Sequence, residues 1–146
     1  MITGRSAKRG QAVDEAIDTV LKFERAINAR DPEQICALIT DDAAFIDSLG
    51  ASITGAGKWR AAWEGYFRMV PDYAISHSDI IPGGDTVAIF GSAQGTFSKA
   101  GALRSEDFWR MPAAWRAVVR QGRIAVWQVY ADNEPLRAIM RKYSQR

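Results

Sequence analysis

The sequence predicts an α+β domain, with helices first and antiparallel strands behind them. Before Pro71, apolar residues recur mostly at three- and four-residue steps. From about Tyr73 onward they fall in short alternating runs, and compact turn signals join those runs: Pro82-Gly83-Gly84-Asp85, Lys99-Ala100-Gly101 and Arg120-Gln121-Gly122-Arg123. Helices segregated ahead of an antiparallel sheet define the α+β class. A strongly curved sheet of this size, wrapped around a long helix, makes a cone-shaped α+β barrel with an apolar mouth.

Residues 1–10 are polar and aperiodic and read as a flexible tail, leaving 11–146 as a single domain. Val13, Ile17, Val20, Leu21, Glu24 and Ile27 mark a first helix. Asp31-Pro32-Glu33-Gln34 starts a second, with Asp31 as N-cap and Pro32 at the first helical position; it stops near Thr40-Asp41-Asp42. Ala44–Leu49 reads as a strand ending at Gly50, and Lys58–Val70 as a third helix closed by Pro71. Strands follow at about Tyr73–Ile81, Thr86–Phe97, Leu103–Trp109, Ala114–Val119 and Ile124–Ala131, with Pro112 at a bulge or edge. Glu134-Pro135 opens a closing helix carrying Leu136, Ile139 and Met140.

With 146 residues, 47% of them apolar and 25% charged, the chain is an ordinary globular domain, which excludes a coiled coil or a collagen-like rod. No apolar run approaches the ~18–20 residues of a membrane-spanning helix. The basic N-terminus lacks the apolar core of a secretory signal. The single cysteine, Cys36, reads as a small buried hydrophobe in a reducing, cytoplasmic setting. All 17 acidic residues lie between Asp14 and Glu134, where only 12 of the 19 basic ones fall, so that stretch carries a net charge of −5. A nucleic-acid binder needs the opposite, a basic folded face, and neither nucleic acid nor membrane is expected as a partner. One histidine, one cysteine and no phosphate-cradling glycine loop lead to the expectation of no metal and no cofactor.

Three stretches carry a family resemblance: Phe23-Glu24-Arg25-Ala26-Ile27-Asn28-Ala29-Arg30-Asp31; Leu38-Ile39-Thr40-Asp41-Asp42-Ala43-Ala44-Phe45-Ile46-Asp47, running into Gly55 and the aromatic helix; and Trp115–Ile124 followed by Trp127-Gln128-Val129-Tyr130-Ala131-Asp132-Asn133. Over roughly residues 12–142 the chain resembles the nuclear transport factor 2-like superfamily, in particular its SnoaL-like group, related to polyketide cyclases and ketosteroid isomerases. This resemblance is specific for fold and weak for chemistry, because the fold hosts many activities. It implies that Asp47 stands where ketosteroid isomerases keep their aspartate base. Their two oxyanion donors map to Phe23 and about Ala114, neither of which can donate, which argues against steroid isomerisation. Asp132 matches an aspartate with which limonene-epoxide hydrolases activate water, but the Arg-x-Asp partner of that site falls near Ser92-Ala93-Gln94.

Each candidate has a structural alternative. Alternation places Asp47 on the face of Phe45 and Leu49, as a buried base or as a strand-end residue bonded to loop amides. Asp132 precedes the last helix and is equally explained as its cap. His77 reads as a surface histidine or a proton shuttle. Trp59, Trp63 and Phe67, at four-residue steps, serve as core or as pocket wall. Phe23, Ser92, Gln94 and Trp127 complete the expected lining of a pocket for a small hydrophobic molecule. Two functions follow: a cofactor-independent acid/base enzyme (isomerase, cyclase or epoxide-hydrolase type) acting through Asp47 and Asp132 on a hydrophobic carbonyl or epoxide compound, or a non-catalytic binding module. Apolar residues on both faces of the late strands lead to the expectation of a homodimer joined through the sheet.

Overall fold

The computed structural model describes residues 3–144. Helix α1 (Thr3–Asn28) and the short α2 (Pro32–Ala37) come first, then strand β1 (Ile39–Ile46), the three-residue β2 (Ser52–Thr54) and helix α3 (Ala56–Met69). Strands β3 (Ala74–Gly83), β4 (Thr86–Thr96), β5 (Phe108–Arg120) and β6 (Arg123–Ala131) follow, and α4 (Glu134–Ser144) closes the chain. The strands form one sheet in the order β2-β1-β6-β5-β4-β3, antiparallel except where β1 runs parallel to β6. The helices and the curled sheet make an α+β cone of the kind the sequence predicts.

Several boundaries differ from the sequence reading. Helix α1 extends back to Thr3, through most of the stretch read as a tail; the expectation for Met1 and Ile2 lies outside the described residues. Residues 8–12 are exposed, so no packing selects apolar residues there and the helical period is not written into the sequence. Strand β1 starts at Ile39, five residues early: its register against β6 slips between Ile39 and Ala44, and this irregular segment breaks the alternation that would have revealed a strand. The strands read on either side of Pro112 are one strand, β5, opened by a 3-10 turn at Ser105–Asp107. Pro112 is tolerated because β6 pairs with β5 only from Ala113 onward, so its missing N–H faces an edge.

Burial along β5 alternates almost perfectly, with Trp109, Met111, Ala113, Trp115 and Ala117 on the inner face. Helix α1 supplies Val20, Phe23 and Ile27 to the core, and α3 supplies Trp59. Phe23 meets Trp127 and Trp59 at ring-centroid distances of 4.6 and 6.2 Å. The Trp59 indole donates to the Ala43 carbonyl at 2.9 Å, tying α3 down onto β1 and satisfying a buried donor that would be costly to leave unmade. Asp31 caps α2 as read, accepting the Gln34 amide. Cys36 is half-buried, and burial pushes its thiol pKa up.

Candidate functional site

Between α3 and the inner face of the sheet lies a partly open hollow of about 240 Å³. Trp63 and Tyr66 of α3 roof it; Trp109, Met111 and Trp115 of β5 and Trp127 of β6 line its floor. Tyr73, just before β3, and Ala93 of β4 close one side. On the opposite, β1–β6 side stand Phe45, Asp47, Ser48 and Asn133. The walls are mostly aromatic because α3 places an aromatic on every turn and β5 alternates large apolar residues on one face.

Asp47 is the carboxylate of this lining. It does not continue the strand, as alternation had suggested; β1 ends at Ile46, and Asp47 opens the turn to β2. Its Oδ1 accepts the Leu49 and Ala51 amides at 2.9 and 3.0 Å, and Gly50 takes the positive φ of 87° that this turn needs. Leu49 is consequently exposed rather than a face partner of Asp47. No cation pairs with Asp47, and its Oδ2 makes no hydrogen bond among the described residues. Asn133 Nδ2 donates to Ser48 Oγ, fastening the rim beside it.

The other expected site residues are dispersed. Trp63 and Trp127 line the hollow; Trp59 and Phe23 are fully buried behind it, and Phe67 packs on Trp63 at 5.3 Å without reaching the lining. Asp132 is exposed in a groove on the outer face of the sheet, where its Oδ1 accepts the Glu134 amide at 3.0 Å at the entry to α4. The two aspartates therefore do not share the cavity. His77 Nδ1 pairs with Glu24 of α1 at 2.7 Å, away from the hollow. Ser92 bonds Ser76 on the outer face, and Gln94 shares that face because Ala93 between them points inward. Among the described residues, no group of three or more His, Cys, Asp or Glu side chains is arranged to hold a metal ion, and no helix is long and apolar enough to cross a membrane.

The sequence reading assigned no site role to Tyr66 or Tyr73. Burial pushes both phenols far above their usual pKa, and for Tyr73 the neighbouring Tyr66 adds to the effect, so both are neutral O–H groups at physiological pH. The four rings Trp63, Tyr66, Tyr73 and Trp109 form one contiguous cluster, with Tyr66 and Tyr73 perpendicular at 4.8 Å and Tyr73 and Trp109 at 6.1 Å. The indole nitrogens of Trp63 and Trp109 are buried without a hydrogen-bond partner among the described residues. The signal for this wall was present in the sequence, in the spacing of Trp63 from Tyr66 and of Trp109 from Trp115, but only the fold brings Tyr73 to it.

A curled sheet closed by helices has the nuclear transport factor 2-like α+β cone fold. A model described as a SnoaL-like domain matches residues 20–127, and the chain belongs to that family. Among solved structures it is similar to IdmH of Streptomyces antibioticus, described as a putative polyketide cyclase, at 25% identity, with 86% of this chain and 97% of that one covered and a TM-score of 0.71. It is also similar to an LEH-like epoxide hydrolase of M. tuberculosis (19% identity, 89% and 92% covered, TM-score 0.72). A protein of ketosteroid isomerase-like fold from Catenulispora acidiphila, in complex with trimethylamine, aligns at 20% identity, with 82% and 89% covered and a TM-score of 0.72. No curated protein matches the chain.

Proposed function

We propose that this protein holds a small hydrophobic carbonyl compound in its aromatic hollow and transfers a proton on it without a cofactor, with Asp47 as the acid/base, in an isomerase- or cyclase-type reaction. The observation that carries this reading is the setting of Asp47: the one carboxylate of a mostly aromatic and aliphatic lining, with Oδ1 fixed by two amides and Oδ2 unengaged among the described residues. The two amides hold Oδ1 in place and leave Oδ2 as the atom able to accept a proton. In the step proposed, Oδ2 takes the proton α to the carbonyl, and the C–H electron pair becomes the C=C bond of an enolate while the C=O π pair moves onto oxygen. The Asp47 carboxyl, after exchanging its proton with solvent, returns a proton to carbon as the enolate collapses to the ketone. Epoxide opening is the less favoured chemistry, since Asp132, the match to a water-activating aspartate, opens onto the other face.

The amide anchorage of Asp47 also supports a second reading, a ligand-binding module in which the aspartate serves only its turn. Deuterium exchange at the α-carbon of 1-tetralone, a two-ring ketone, separates the two. The enzyme reading expects exchange in D2O above the buffer rate with the wild type and none with Asp47→Asn; binding without exchange favours the module. The proposal extends to the outer face of the sheet, where exposed Ile81, Phe90 and Tyr130 would be covered by a second copy of the chain. It also sets the protein in the cytoplasm, in keeping with its one unpaired cysteine.

A further inference from the structure

We infer that Tyr66 and Tyr73 form the polar recognition site of the hollow: their two hydroxyls donate to a carbonyl or enolate oxygen of a one- or two-ring ligand. This rests on the preceding reading only in that the hollow must hold a ligand. Both phenols line the cavity and touch each other ring to ring, and a phenol is protonated at physiological pH, so each has an O–H to give. Neither hydroxyl is engaged in a hydrogen bond among the described residues, and burial is the first cause of both pKa shifts. In the same cluster the indole N–H groups of Trp63 and Trp109 have no acceptor among the described residues. This end of the cavity thus concentrates unpaired donors, while the only carboxylate in the lining, Asp47, follows β1 on the far side of the sheet order from Tyr73. A phenol of the lining that has no protein acceptor keeps its O–H for a ligand oxygen.

An apolar wall with donors at one end selects a ligand that is apolar over most of its surface and carries an acceptor at one end. Size narrows the class. The hollow of about 240 Å³ exceeds the ~150 Å³ apolar cavity that accepts benzene, so one or two rings fit inside it. The tyrosine pair would then supply what the positions of Phe23 and Ala114 cannot: O–H donors for negative charge developing on oxygen.

The test compares 1-tetralone with tetralin, the same two rings without the oxygen, by calorimetric titration of the wild type and of the Tyr66→Phe/Tyr73→Phe double variant. The ratio of the two dissociation constants is expected to favour the ketone at least tenfold more in the wild type than in the variant, with tetralin binding changed less than twofold. Using the change in the ratio cancels the different hydration of the two compounds. A second readout needs no variant: the infrared carbonyl stretch of 1-tetralone bound to the wild type should lie below its value in cyclohexane. An unshifted stretch, or an equal ratio in the two proteins, overturns the donor pair while leaving the pocket reading intact. If neither compound binds up to its solubility limit, both readings fall. If tetramethylammonium displaces the ketone and binds more tightly, the aromatic cluster serves a cation through its ring faces, and the donor assignment is wrong.

Discussion

Asp47 and Asp132 follow neighbouring parallel strands, yet they stand on opposite sides of the sheet, Asp47 on the aromatic hollow and Asp132 on the outer groove. Their roles separate accordingly. Asp47→Asn should abolish proton exchange on a bound ketone while leaving its affinity within a few-fold. Asp132→Ala should leave exchange unchanged and cost about 0.5–1 kcal/mol of stability, the usual loss when a side chain at a helix entry no longer accepts an amide. Exchange rates and urea melts of both variants check this, and loss of exchange in Asp132→Ala would reinstate a shared site.

The closing helix is fastened by Asp107, buried to 1% exposure, whose carboxylate accepts the Tyr143 hydroxyl and the Lys142 ammonium. The Tyr143 hydrogen bond, followed by the Lys142 contacts, holds the Asp107 carboxyl below its usual pKa. A depressed folded pKa gives stability that is present above the unfolded value and lost as pH falls through the folded one. The wild type should therefore lose stability on acidification below about pH 4, with part of the loss absent in Asp107→Asn, which is already less stable at pH 7. Tyr143 shifts the opposite way, raised chiefly by the same bond, so its contribution fades only at strongly alkaline pH. Thermal melts of both proteins from pH 3 to 8 measure the difference.

Gly91 is required for steric reasons. A Cβ there would lie 1.8 Å from the Ser76 carbonyl oxygen, where the β3–β4 register slips between His77 and Asp79. Gly91→Ala should force the two backbones apart and destabilise the protein by roughly 2–4 kcal/mol, whereas Gly83→Ala, which meets open space, should be close to neutral. Denaturant titration of the two variants is the check.

If the outer face of the sheet pairs with a second copy, Phe90→Glu and Tyr130→Glu should each weaken the association at least tenfold, because each places a charge on the apolar centre of the interface. Sedimentation should then show the wild type at about twice its 16.1 kDa chain mass and the variants shifted to single chains. A wild-type protein sedimenting as a 16.1 kDa monomer at micromolar concentration would refute the dimer.

What the sequence determined by itself was periodicity and punctuation. Val20 and Ile27 mark the buried side of α1, Trp115, Ala117 and Val119 alternate as the second half of β5 does, and Asp31-Pro32 caps α2, because these features depend on neighbours within a few residues. Tertiary structure decided the site. Whether a residue faces the hollow, the core behind it or the outer face depends on where each strand starts and which side α3 covers, and neither is set locally. Phe23 and Trp63 read alike as helix aromatics, yet α1 lies behind the cavity and α3 roofs it. Asp47 read as a strand residue until the turn ending β1 took its Oδ1 for two amides. Tyr73 carries no pattern of its own; the bend between α3 and β3 buries it against Tyr66 and Trp109, on the wall of the hollow.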